Sequence, residues 1–120
     1  MKINNSKCLI IAEIGLNHNG DLKLAKKMID QAHRSGASAA KLQTYKKGRI
    51  SPKVRTSRYY EDLVDTQESL SEMLDNVSFT HEETQELFEY GREIGITIFS
   101  TPFDLESLAL LESISCPAYK

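Results

Sequence analysis

The sequence predicts an α/β protein: roughly the N-terminal half of a (β/α)8 TIM barrel, with parallel strands and alternating helices. Three observations carry this expectation. Strand-like and helix-like stretches alternate, which implies a parallel sheet joined by right-handed crossovers. The first strand-like stretch, CLIIAEI at 8–14, is continuously apolar, as strands covered on both faces are. The last stretch, 115–120, starts to look like another strand and has no closing helix. A whole barrel needs about 250 residues, and this chain has 120. A small doubly wound sheet is the competing architecture.

The elements follow in order. After the first strand, Asn19, Gly20 and Asp21 supply turn and N-cap chemistry. Leu22, Ala25, Met28, Ile29 and Ala32 then repeat at helical spacing. His33 and Arg34 fall in the last turn, where positive charge suits the helix dipole, and Gly36 stops the helix. A second strand spans 38–43. Residues 44–64 contain Gly48, Ser51, Pro52 and Ser57 and show little periodicity, so they read as a long loop. Six Lys or Arg residues and no acid lie between Lys46 and Arg58. Asp65 with Glu68 forms a capping box for a short helix through Leu70, Met73 and Leu74. Thr80 with Glu83 repeats the device for a longer helix through Leu87 and Phe88, ending near Gly95. A third strand spans 96–100, and Asp104 caps a helix carrying Leu105, Leu108 and Leu111.

Composition is that of an ordinary globular protein, 40% apolar and 27% charged. A net charge of −2 gives no argument for general nucleic-acid or membrane affinity. No apolar run is long enough to span a bilayer. Cys8 and Cys116 lie far apart in apolar stretches and form no CxxC pair, so both read as reduced, packed thiols. These features favour the cytoplasm.

Polar residues gather where ligands bind in such folds. Glu13, Lys41, Gln43 and Thr101 each lie at or just beyond the C-terminal end of an expected strand, and Lys120 joins them. Two lysines, a hydroxyl and a carboxylate make an anion site with one candidate base. Glu13 follows Ile10, Ile11 and Ala12, so a buried carboxylate is expected there, with Lys41 as its partner. His18 reads as a turn-stabilising residue rather than a metal ligand, and His33 and His81 read as surface residues. No zinc-like cluster is present in the sequence. The basic loop reads as a solvated connection, or as a segment that steers or covers an anionic substrate.

Four motifs occur in register: IAEIGLNHNGD, GASAAKLQTY, IFSTPFD and CPAYK. Together they closely resemble the N-terminal part of the sialic acid synthase family, which includes N-acetylneuraminate, legionaminate and pseudaminate synthases and a spore-coat polysaccharide relative. The resemblance covers essentially the whole chain and is weakest over 44–64. It implies a (β/α)8 barrel followed by an antifreeze-like domain, with residues 1–120 as the N-terminal segment. It implies condensation of phosphoenolpyruvate with an N-acetylmannosamine-type sugar to a nine-carbon 2-keto sugar acid and phosphate. It further implies Mn2+ or Mg2+ in the full-length enzyme, held by histidines outside this chain, and a homodimer.

Carried over by motif, Glu13, Lys41 and Lys120 are the catalytic candidates. Glu13 would orient or activate the sugar or the attacking water. Lys41 would meet the phosphoenolpyruvate carboxylate, and Lys120 its phosphate. Gln43 would face the sugar, Thr101 of the STPF motif would help hold phosphoenolpyruvate, and Ser100 and Asn17 are further substrate-binding candidates. The segment alone is expected to bind metal poorly, to lack catalysis and to self-associate through its open sheet edges. The alternative function is a small α/β module that binds a phosphate ligand without chemistry.

Overall fold

A computed structural model describes residues 8–49 and 70–120. The elements are β1 (Ile11–Gly15), α1 (Leu22–Arg34), β2 (Ala39–Thr44), α2 (Leu70–Val77), α3 (His81–Ile94), β3 (Thr97–Pro102) and α4 (Leu105–Ser113). The three strands form one parallel sheet in the order β1-β2-β3. The Asp65–Glu68 capping box and the basic residues beyond Arg49 lie outside the described residues.

Local chemistry sets the helix ends. Asp21 caps α1 by accepting from the Lys23 and Leu24 backbone N–H groups. Thr80 and Glu83 form the expected capping box at α3, and Gly95 ends that helix in the left-handed region at φ 84°. Asp104 caps α4 by accepting from the Ser107 N–H.

Strand alternation then decides which side chains meet. Ile14, Ala40, Leu42 and Ile98 belong to a core with Ala25 and Ile29 of α1, Leu87 and Phe88 of α3, and Leu111 of α4. α1 packs on β1 and β2 and against α3, while α3 and α4 pack on β3. The intervening strand residues Glu13, Lys41, Gln43 and Thr101 therefore share the opposite face.

Several expectations are corrected. β1 begins at Ile11, because pairing with β2 starts at Ile11↔Ala39. Cys8 precedes that pairing and is exposed rather than packed, whereas Cys116 is buried. β3 runs on to Pro102, so Thr101 lies inside the strand. Residues 115–120 contribute one parallel bridge, Ser100↔Tyr119, rather than a full fourth strand.

A candidate substrate site at the strand C-termini

Glu13 and Lys41 are direct register partners on β1 and β2. Lys41 Nζ lies 2.7 Å from Glu13 Oε2. The same ammonium donates to Thr101 Oγ1 of β3 at 3.5 Å. Lys41 is only 6% exposed, so its charge needs these partners. Within the described residues the Glu13 side chain is 53% exposed. β1 is the outer strand of the described sheet, and no described strand covers its far side. The pair thus has a fixed inner cation and an outer carboxylate open to a ligand.

The β1–β2 register breaks between Glu13 and Gly15, and Gly15 takes a positive φ of 54°. Such a bulge re-aims the residues around it. A β-carbon built on Gly15 would lie 3.5 Å from Glu13 Oε1, 3.7 Å from Gln43 Nε2 and 4.0 Å from Asn17 Nδ2. Glycine leaves open the space in which these three groups meet. Asn17 is held there by donating from Nδ2 to the Ile14 carbonyl at 2.9 Å.

Two candidates stand apart. Ser100 is fully buried, and its hydroxyl bonds Thr44 Oγ1 at 2.7 Å on the helix-covered face. Lys120 reaches the strand end through its backbone, its N–H donating to the Ser100 carbonyl at 3.3 Å, with its side chain exposed. The structure therefore brings together Glu13, Lys41, Thr101, Gln43 and Asn17, and not the Ser100 hydroxyl.

His33 and His81 are exposed, as expected. His18 is 2% exposed and stabilises the turn after β1: its Nδ1 accepts from the Gly20 N–H at 3.1 Å. Burial lowers its pKa below the usual 6.5, partly opposed by the Gly15 backbone.

Sequence reasoning missed how the basic loop begins. Lys46 and Arg49 both pair with Glu106, and the Lys46 N–H donates to Asp104 Oδ2 at 2.8 Å. The Gly48 N–H donates to Asp75 Oδ1 at 2.9 Å. This start of the loop is tied to α2 and α4, and two of its charges are already matched. Burial pushes the Asp104 carboxyl up, but bonds from Lys46, Ser107 and Glu106 outweigh it and hold the pKa low. The Glu106 pKa is lowered by its bonds to Lys46 and Arg49. The sequence signal was that Asp104 is a helix cap with Glu106 in the turn after it.

Among the described residues, no group of three or more His, Cys, Asp or Glu side chains is arranged to hold a metal ion. None of the described helices is long and apolar enough to cross a membrane.

Parallel strands with helices on one face, and with an acid, an amine, amides and a hydroxyl gathered on the other near the strand ends, define an arc of a (β/α)8 barrel. A model of the NeuB family matches residues 28–120. The N,N'-diacetyllegionaminic acid synthase of Campylobacter jejuni is 41% identical over 115 residues, covering 95% of this chain and 34% of that protein. The pseudaminic acid synthase of Helicobacter pylori is 41% identical over 117 residues, covering 92% of this chain and 33% of that protein. The crystal structure of an N-acetylneuraminic acid synthetase from Leptospira borgpetersenii superposes with a TM-score of 0.76 at 30% identity, covering 99% of this chain and 39% of that one. The chain belongs to the NeuB family. It spans about a third of the length of the curated relatives it matches.

Proposed function

We propose that these residues form one wall of the substrate site of a phosphoenolpyruvate-dependent synthase of nine-carbon 2-keto sugar acids. The observation that carries this reading is the buried Lys41 ammonium, held between Glu13 and Thr101 at the strand ends. Phosphoenolpyruvate is a small polyanion, and a fixed cation beside a hydroxyl suits its carboxylate. Lys120, exposed beside Ser100, is free to reach its phosphate. Gln43 and Asn17 line the side where the N-acetylated hexosamine-type sugar would enter.

In the proposed reaction, C3 of phosphoenolpyruvate attacks the sugar's aldehyde carbon. Water adds at C2, and phosphate leaves by C–O cleavage. Glu13, half-exposed and next to Lys41, is placed to orient the sugar or to accept a proton from the water. The Ser100 assignment rests on its motif alone, since its hydroxyl is bonded to Thr44. The divalent metal, Mn2+ or Mg2+, would polarise the aldehyde, and its ligands are proposed to come from elsewhere in the complete enzyme. A cytoplasmic homodimer is part of the same proposal, as is the inactivity of residues 1–120 by themselves.

The test is an assay of the complete protein carrying these residues, with phosphoenolpyruvate and a panel of N-acetylated hexosamines. Release of phosphate together with a 2-keto acid, abolished by Lys41→Met, is the expected result. Turnover indifferent to Lys41→Met overturns the assignment of the site. Binding of phosphoenolpyruvate with no product from any sugar favours a binding module instead.

A further inference from the structure

The turn that carries Asn17 away from β1 is unusually constrained. Gly15, Asn19 and Gly20 all have positive φ, at 54°, 51° and 74°. Its backbone bonds run Asn17 N–H to Ile14 O at 3.1 Å, Asn19 N–H to Leu16 O at 3.0 Å and Asp21 N–H to His18 O at 2.9 Å. At its centre the buried His18 ring holds the far end: Nδ1 accepts from the Gly20 N–H at 3.1 Å. With Nδ1 accepting, the ring proton belongs on Nε2.

A second element presses on this turn. Phe79, between α2 and α3, stacks on the His18 ring at 4.3 Å between centroids and 27° between planes. Three residues earlier, the Asn76 carbonyl lies 2.8 Å from where a Gly20 β-carbon would sit. The α2–α3 junction therefore touches the turn at two points, and one of them leaves no room for a side chain. Gly15, at the start of this turn, is the residue around which Glu13, Gln43 and Asn17 meet.

We propose that His18 is a positioning residue: its ring fixes the turn that carries Asn17 away from the Gly15 bulge, and Phe79 couples that turn to the α2–α3 junction. His18 has no place in the ligand-facing cluster and acts through the backbone at Gly20. The part of this inference that concerns turnover rests on the synthase reading; the structural part does not.

Three variants of the complete protein separate the contacts. His18→Phe keeps a stacking ring and removes the hydrogen bond from the Gly20 N–H. Phe79→Leu removes the stack and leaves that hydrogen bond. His18→Asn restores an acceptor near Nδ1 without the ring. NMR follows the Gly20 amide and the Asn17 and Gln43 side-chain amides, with the Thr101 backbone amide as control. His18→Phe and Phe79→Leu are expected to move the first three and leave Thr101 in place, and His18→Asn to return the Gly20 amide toward its original position. Unmoved Asn17 and Gly20 signals in both variants overturn the proposal, as does an equal disturbance at Thr101. If a variant does not fold, the imidazole 15N spectrum of the unmodified protein decides: an Nε2-protonated tautomer supports the proposal, and an Nδ1-protonated one overturns it. Where the synthase reaction is present, His18→Phe should lower kcat about tenfold or more, with the KM for phosphoenolpyruvate nearly unchanged. Absence of that reaction removes the synthase reading, while the amide shifts still decide the positioning role of His18.

Discussion

Replacing Glu13 by glutamine separates a catalytic carboxylate from a structural one. The ion pair to Lys41 is 2.7 Å long. At an effective dielectric of about 20 its gross attraction is about 6 kcal/mol. The net contribution is far smaller. Lys41 has already been desolvated, and within the described residues the Glu13 side chain is 53% exposed, where water screens it. Glutamine keeps an oxygen that can accept from the ammonium. Breaking a fully buried pair costs about 3–5 kcal/mol, so this half-open pair should cost about 1–2 kcal/mol. Tm should fall by several degrees, read by thermal denaturation. Loss of a positioned acid–base group costs about 10²–10⁴ in turnover, so Glu13→Gln should nearly abolish product formation in the complete protein while leaving it folded. Turnover within about threefold of the unmodified protein would refute the catalytic reading. A stability loss as large as a fully buried pair would show that the carboxylate's main role is structural.

Two further outcomes are expected. Gly91→Ala places a β-carbon 2.4 Å from Ile98 Cδ1 and 3.2 Å from the Ile96 carbonyl. Overpacking of about 1–3 kcal/mol should exceed the helix-propensity gain of at most about 1 kcal/mol. Urea denaturation should show net destabilisation, partly relieved by adding Ile98→Val; a stabilised Gly91→Ala protein contradicts the packing. His18 has a folded pKa below its unfolded value of 6.5 because burial disfavours the charged ring. Its contribution to stability is therefore complete above the unfolded pKa and is lost as pH falls through the window down to the folded one, at up to about 1.4 kcal/mol per pH unit. Denaturation curves across that window should show this slope, and His18→Phe should remove it; an equal slope in the variant assigns the effect to another group.

Much of the fold was legible because its signals are local. Asp21, Thr80 with Glu83, and Asp104 cap helices through their own neighbours, so the sequence marks those ends directly. The alternation of elements fixed the parallel order, and adjacent strand ends made Lys41 the natural partner of Glu13. Other features depend on register or distant contacts. Ser100 and Thr101 are neighbours in one motif, yet strand alternation sends them to opposite faces once β3 continues to Pro102. The Glu106 anchor for Lys46 and Arg49, and the Phe79 stack on His18, join segments far apart in the chain.

The most direct measurement is the affinity of the complete protein for phosphoenolpyruvate, by calorimetry, with Lys41 intact and as Lys41→Met. A desolvated cation in contact with an anionic ligand contributes about 2–5 kcal/mol, so Kd should rise by about thirtyfold or more in the variant, with the protein still folded. An unchanged Kd would contradict the claim that Glu13, Lys41 and Thr101 form a single enol-phosphate site.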